Sequence, residues 1–200
     1  GIQAGEAAEL IIRRNTVSAN AESGVDLKTH QGGKVEDNTV DANGADGILL
    51  TDSREVRIEG NTVAANAADG LQIDCSSGDK CGKGVTIVEN TVTANAADGI
   101  QAVKGTDITM VRNVVNGNGS DGILLNGAND STLSDNTVRG NAKNGVTVDV
   151  GTGNAVLKNS IFQNGTNGIS LQNNGNADQP TPALLTARFD AADGRIVVTG

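Results

Sequence analysis

Residues 38–50 read NTVDANGADGILL, residues 61–73 read NTVAANAADGLQI, and residues 90–102 read NTVTANAADGIQA. The three stretches share the hexamer Asn-x-Val/Ile-x-x-Asn, followed four residues after its second Asn by a Gly and an aliphatic residue. Successive hexamers begin 23 residues apart, except for one interval of 29. Their first residues are Asn15, Asn38, Asn61, Asn90, Asn113, Asn136 and Asn159. The chain is therefore a repeat protein, and the repeat predicts its architecture.

Aliphatic residues recur at fixed positions around the first Asn of each unit. In the second unit they are Val35, Val40, Ile48 and Leu50. Separations of two residues are typical of short strands with one buried face, whereas a helix would need a period of about 3.6. Asn, Gly, Asp and Ser fill the intervals, and these residues favour turns. Each unit is predicted to form three short strands and three turns.

A single unit cannot fold by itself. Its few buried aliphatic side chains would contribute ~1.5–3 kcal/mol each, whereas ordering costs ~1.5 kcal/mol per residue. The deficit closes if every strand pairs with the equivalent strands of the units before and after it. We therefore expect a solenoid of parallel strands with one coil per repeat. At the ~4.8 Å spacing of paired strands, seven to eight coils would be roughly 35–40 Å long.

The Asn and Gly columns have structural roles in such a stack. Amides that repeat at the spacing of paired strands can hydrogen-bond from coil to coil, as Asn ladders do. The Gly column fits a corner where a Cβ would clash or where φ is positive. Sevenfold repetition argues against catalysis by these residues, because an active site needs one special position. The predicted ladder consists of Asn15, Asn38, Asn61, Asn90, Asn113, Asn136 and Asn159.

The quoted stretches resemble the right-handed parallel β-helix repeats of secreted bacterial proteins. Related repeats occur in pectate lyases, alginate C5-epimerases and periplasmic copper-maturation proteins, and the resemblance covers residues 1–174. It implies an all-β, right-handed parallel β-helix of ~23 residues per coil with seven to eight coils. It also implies an exported protein, extracellular or at the cell surface. The repeat carries the scaffold and not the chemistry, so the activities of this family do not transfer with it.

Composition and charge exclude some partners. The net charge of −9 argues against a nucleic-acid binder, which would present a basic surface. Membrane insertion is not expected either, since no apolar stretch approaches the ~18 residues that a spanning helix needs. Aromatic residues make up 1% of the chain, so stacking platforms for sugar rings are scarce.

Both cysteines, Cys75 and Cys81, lie in the 29-residue interval, which has six residues more than the 23-residue intervals. A cysteine pair within one short loop is typical of a disulfide and hence of an exported protein. Zinc is disfavoured, because two cysteines supply only half of a tetrahedral ligand set. The sequence predicts no metal and no cofactor; calcium stays open, although no specific motif indicates it.

One predicted turn, after the third strand of successive coils, gathers charged residues and the only histidine. Its candidates are Lys28, His30, Asp52, Arg54 and Lys104. Lyases and epimerases of uronic-acid polymers need a base for the C5 proton and a cation for the carboxylate. His30 or Lys28 would be the base, and Arg54 or Lys104 the cation. The alternative is a set of ordinary solvated turn residues; the epimerase-like motif Asp-Pro-His is absent, since Thr29 precedes His30.

The repeat ends after Leu171. We expect a β-helix over residues 1–174, a linker over 175–182 that contains both prolines, and a β-hairpin over 183–200 that begins a further β domain. Because Gly1 is already in phase with the repeat, the first coil should be covered by another copy or by neighbouring domains.

Three functions fit these features. Regular coils and the lack of a unique acid–base cluster favour a structural or adhesive module of an exported bacterial protein, able to assemble head to tail. A polysaccharide-active enzyme, either a uronic-acid lyase or a C5-epimerase, is the first alternative. A non-catalytic carbohydrate-binding module is the second. The expected partners are further copies, neighbouring domains or a polysaccharide.

Overall fold

The computed structural model describes residues 1–6, 8–75, 82–178, 186–190 and 195–199. Within these ranges the chain forms short strands that wind into a parallel β-helix, in which each strand pairs with its equivalents one coil before and one coil after. Three parallel sheets run along the helix, and each coil contributes one strand to every sheet. The predicted all-β solenoid of three strands per repeat is confirmed.

Sheet 1 is built from the strands that follow the corner glycines. Most of its strands are four residues long, with the first and third side chains inward. In order across the sheet they are β1 (Ile2–Ala4), β4 (Val25–Lys28), β7 (Ile48–Thr51), β10 (Leu71–Asp74), β13 (Ile100–Val103), β16 (Ile123–Asn126), β19 (Val146–Asp149) and β22 (Ile169–Gln172).

Sheets 2 and 3 lie on either side of the first Asn of each hexamer. Sheet 2 contains β2 (Ile11–Arg13), β5 (Lys34–Glu36), β8 (Arg57–Glu59), β11 (Thr86–Val88), β14 (Thr109–Val111), β17 (Thr132–Ser134) and β20 (Ala155–Leu157). Sheet 3 contains β3 (Thr16–Ser18), β6 (Thr39–Asp41), β9 (Thr62–Ala64), β12 (Thr91–Thr93), β15 (Val114–Asn116), β18 (Thr137–Arg139) and β21 (Ser160–Phe162). Only the middle residue of each three-residue strand points inward.

The hydrophobic core is a continuous column of aliphatic side chains along the helix axis. Leu71, for example, pairs with Ile48 on one side and Ile100 on the other, and all three are fully buried. The 29-residue interval leaves this register intact, because its extra residues fall between β10 and β11. Small aliphatic side chains fill the narrow interior, which explains how the fold forms with 1% aromatic residues.

The tight turns beside the ladders use left-handed backbone at residues other than the expected Asn and Gly. Asp37 (φ 55°) precedes Asn38, and Ala42 (φ 54°) precedes Asn43. An L-residue pays a conformational cost in this region. The hydrogen bonds of the following Asn side chain fix the turn and offset that cost, so alanine is tolerated there.

The predicted asparagine ladder is confirmed. Asn61 Nδ2 donates to Asn90 Oδ1 at 2.9 Å, and its own Oδ1 accepts from Asn38 Nδ2 at 3.0 Å. Asn61 Nδ2 also donates to the carbonyl oxygens of Val35 and Glu59. The second Asn of each hexamer forms a parallel ladder of the same kind, through Asn20, Asn43, Asn66, Asn95, Asn118, Asn141 and Asn164.

The corner glycines are required because the next coil leaves no room for a Cβ atom at these positions. A Cβ on Gly70 would lie 2.7 Å from both Asn95 Nδ2 and the Gly99 carbonyl oxygen, and closer still to Val92. Of the two reasons given by the sequence, close approach applies at this column, since Gly70 is absent from the positive-φ glycines.

Beyond the last coil, a short 3-10 turn spans Gly175–Asp178, and an antiparallel hairpin pairs β23 (Thr186–Asp190) with β24 (Arg195–Thr199). The hairpin agrees with the expectation for the end of the chain, while the proposed domain boundaries remain predictions. No helix in the described part of the chain is long and apolar enough to cross a membrane.

Candidate functional site

The turn that carries the predicted catalytic residues does line up on one edge of the solenoid, but its histidine faces inward. His30 is 1% exposed. Its backbone N–H donates to Ser53 Oγ at 3.0 Å, and its Nδ1 lies 3.1 Å from the Lys28 carbonyl oxygen. Within the described residues, Nε2 is buried without a hydrogen-bond partner. In this conformation His30 cannot contact a polymer on the surface.

Two cationic side chains of the same edge, those of Lys28 and Arg54, already contact polar side chains of the protein. Lys28 Nζ lies 3.4 Å from Asp26 Oδ2, and Arg54 Nη2 donates to Gln31 Oε1 at 2.6 Å. Asp52 and Lys104 occupy equivalent left-handed turn positions two coils apart (φ 49° and 55°), which is about 10 Å along the axis. The edge therefore holds the predicted residue types without an assembled base-and-cation pair.

A second cluster, which the sequence reasoning missed, lies on the other side of sheet 1. Asp46, Asp69, Asp98 and Asp121 immediately precede the corner glycines of four successive coils, and we call them the aspartate column. Each is 5–8% exposed. The backbone N–H of each later member donates to Oδ1 of the preceding one, at 3.0, 2.8 and 2.8 Å. The signal that could have found it was the recurring Asp-Gly of four units.

The environment of two members of the aspartate column, Asp46 and Asp69, favours the neutral carboxyl group. Burial raises the pKa of Asp69 to about 7, and the neighbouring charges of Asp98 and Asp46 act in the same direction. Burial also raises the pKa of Asp46. Backbone hydrogen bonds to these carboxylates oppose the shift without cancelling it. A carboxyl group that titrates near neutral pH can accept or donate a proton under physiological conditions.

Polar side chains of sheet 1 extend the column into an outward-facing strip. Gln101 Nε2 donates to Asp98 Oδ2 at 3.2 Å, and Gln72 Nε2 donates to Gln101 Oε1 at 3.0 Å. Thr147 Oγ1 donates to Asp121 Oδ2 at 2.8 Å. Thr147 is buried like the carboxyl groups, whereas the half-buried amides of Gln72 and Gln101 can hydrogen-bond the hydroxyls of a sugar polymer.

The cysteine loop falls partly outside the described residues. Cys75 directly follows β10 and is buried, and Cys81 lies outside the described ranges, so the disulfide stays a prediction. Among the described residues, no group of three or more His, Cys, Asp or Glu side chains is arranged to hold a metal ion.

The profile of the family described as "Right handed beta helix region" matches residues 1–80 and 78–179. The chain belongs to this right-handed β-helix family. The match covers almost all of the coiled part of the protein and confirms the handedness that the resemblance implied. No curated protein sequence matches the chain at a significant level.

Solved structures of the same architecture come from alginate epimerases. The periplasmic alginate epimerase AlgG superposes with a TM-score of 0.74 at 19% identity, covering 85% of this chain and 45% of that one. The A-module of mannuronan C-5 epimerase AlgE4 from Azotobacter vinelandii gives a TM-score of 0.60 at 18% identity, covering 82% and 56%. The A-module of AlgE6 gives 0.56 at 16% identity, covering 82% and 58%. This β-helix spans about half the length of these structures, and at such identities the likeness concerns the fold.

Proposed function

We propose that the chain serves as a structural or adhesive β-solenoid module of an exported bacterial protein. The observation that carries the proposal is the role of the Asn side chains that recur in every hexamer. In both Asn columns these side chains hydrogen-bond from coil to coil. The buried position of His30 also supports it, because the most obvious general base of the sequence does not reach the surface.

The test is an activity survey of the purified chain. Pectate, alginate and glycosaminoglycan substrates are incubated with and without calcium, and products are followed by the absorbance of the unsaturated sugar and by NMR of the uronate C5 configuration. A structural module leaves every substrate unchanged. Turnover of any of them that scales with protein concentration overturns the proposal.

A polysaccharide-active β-helix is the second candidate, favoured by the polar strip beside the aspartate column. Asp69 has a pKa raised to about 7 by burial, which suits a proton acceptor at neutral pH. The proteins of similar fold are described as alginate and mannuronan epimerases, which also supports an exported location for this chain. If turnover is found, its loss in Asp69→Asn but not in His30→Ala assigns it to the strip; the reverse assigns it to the turn edge.

Contacts at the two ends of the solenoid belong to the same proposal. In the last coil, the inward positions of β22 are held by Ile169 and Leu171, and both side chains are exposed. Their cover would be another copy or a neighbouring domain. Because the net charge of −9 opposes association between copies, added salt should promote it. Light scattering over a concentration and salt series tests this association. A monomer under all conditions would contradict association between copies and leave a neighbouring domain as the proposed cover.

A further inference from the structure

The aspartate column is a buried charged feature that the structural role does not require. Asp46, Asp69, Asp98 and Asp121 occupy equivalent positions in four successive coils, so neighbouring members are about 4.8 Å apart along the axis. All four are more than nine-tenths buried. None of them belongs to any of the ion pairs formed by the described residues. Four unpaired negative charges at this spacing would repel one another strongly.

From this geometry we infer that Asp46 and Asp69, stacked in the aspartate column, take up protons as a coupled pair, and that the central coils are more stable in mildly acidic than in alkaline medium. Like carboxyl groups that share a buried site cannot all ionise together, so their titrations are linked. The pKa of Asp69 agrees with this inference: burial raises it to about 7, the charges of Asp98 and Asp46 raise it further, and the backbone hydrogen bond only partly opposes these effects.

Among the residues that the structure describes, no cation forms an ion pair with the column. Asp26 adds negative charge beside Asp46, and Lys28, the nearby base on sheet 1, is engaged with Asp26 at 3.4 Å. Lys143 precedes Asn144 at the far end of the column. The charged residues on the elements packed against the column are Glu22 and Lys143 in the same turn, Asp26, Lys28, Asp74 and Asp149 on sheet 1, and Asp41 and Arg139 on sheet 3.

The chain itself provides the neutral counterpart of each aspartate. In the next two coils the column continues with Asn144 and Asn167. Asn144 N donates to Asp121 Oδ1 at 2.8 Å, and Asn167 N donates to Asn144 Oδ1 at 3.1 Å. An amide oxygen therefore accepts the coil-to-coil bond as a carboxylate does. Asp→Asn substitutions remove the charge and keep the fold.

The sign of the pH effect follows from linkage. The folded state holds the proton on Asp69 up to a pKa of about 7, whereas in the unfolded chain the carboxyl group ionises near its ordinary pKa of 3.8. Between these values the folded state binds more protons than the unfolded state, so stability falls as the pH rises through this window. Below the window the contribution is fully present, and above it the loss is complete.

The experiment measures melting temperature against pH for the full chain and three variants. The wild type should lose melting temperature steadily from about pH 4 to about pH 7, whereas Asp69→Asn should flatten this slope and melt higher than the wild type in alkaline medium. Asp46→Asn should act in the same direction. The matched control is Asp135→Asn, which removes one exposed charge at a left-handed turn and should keep the wild-type slope.

A second readout is independent of stability. In a ¹³C NMR titration of the carboxyl carbons, Asp69 should titrate near pH 7, and Asp69→Asn should lower the titration midpoint of Asp46. Titration of Asp69 in the ordinary range of aspartate overturns the inference. So does a melting profile of Asp69→Asn that runs parallel to those of the wild type and Asp135→Asn.

Discussion

At the scale of single residues, the ladder amides carry the polar interior of the solenoid. Asn61 has bonding partners on both sides, and its Nδ2 donates to three acceptors. Asn15, by contrast, is exposed and lies in the first complete unit. An Asn in a central coil should therefore contribute more to the free energy of unfolding than an Asn at the end of the ladder.

We expect Asn61→Leu to destabilise the protein far more than Asn15→Leu. Leucine at position 61 leaves buried donors and acceptors of Asn38 and Val35 without partners, at ~1–3 kcal/mol per group, so the total loss should reach about 3 kcal/mol or more. Asn15→Leu should cost less than about 1 kcal/mol. Urea unfolding measures both. Equal losses for the two variants would mean that the interior amides are hydrated and the ladder contributes little.

At the scale of the element, the turn between sheets 3 and 1 depends on its corner glycine. Gly70→Ala should destabilise by about 3 kcal/mol, because the new methyl group meets backbone and the buried Asn95 amide and cannot be accommodated by a side-chain rotation. Gly5→Ala is the control: no atom lies within 4 Å of its Cβ position. Thermal melts of the two variants decide the matter, and a neutral Gly70→Ala would show that the coils can separate locally.

The inserted loop is the other element with a specific prediction. A bond between Cys75 and Cys81 makes the intact protein two hydrogen atoms lighter than its reduced form and prevents alkylation without reductant. The loop that the bond would close is short, so reduction should lower stability by at most about 3 kcal/mol. Mass spectrometry of the exported protein with and without reductant is the measurement. Two readily alkylated thiols would contradict the disulfide.

At the scale of the whole molecule, the fold is modular along its axis because each coil contacts only its neighbours. Deleting residues 48–70 removes one complete 23-residue coil and joins Gly47 to Leu71, which pairs in the register of Ile48. We expect this shortened protein to fold, with a denaturant m-value lower by about one seventh.

The control for the coil deletion removes one residue fewer. Deleting residues 48–69 leaves Gly70 as one extra residue in the crowded corner before Leu71, where it must either bulge or shift the strand by one residue. That variant should be less stable than the deletion of the complete coil. Circular dichroism and urea titration of the two deletions separate the outcomes; equal behaviour would show that the stack tolerates loss of register.

The sequence by itself determined the coil, its three strands, the corner glycine and the asparagine ladder, because each of these repeats with a fixed period. A feature that recurs in seven units can be recognised from the sequence alone. Stacking in register is the arrangement in which each unit can bury its aliphatic residues. The loop around Cys75 was also visible as a break in the period, although the sequence does not reveal its conformation.

Only the tertiary structure decided which polar side chains face solvent. His30 looked like a surface base, yet the turn folds it inward against the Lys28 carbonyl oxygen. The Asp-Gly of four units looked like turn chemistry, yet stacking places the carboxyl of Asp69 between those of Asp46 and Asp98 and away from water. Burial and proximity between coils are properties of the stack, and they set the pKa of a group whose residue type alone would predict an ordinary, ionised aspartate.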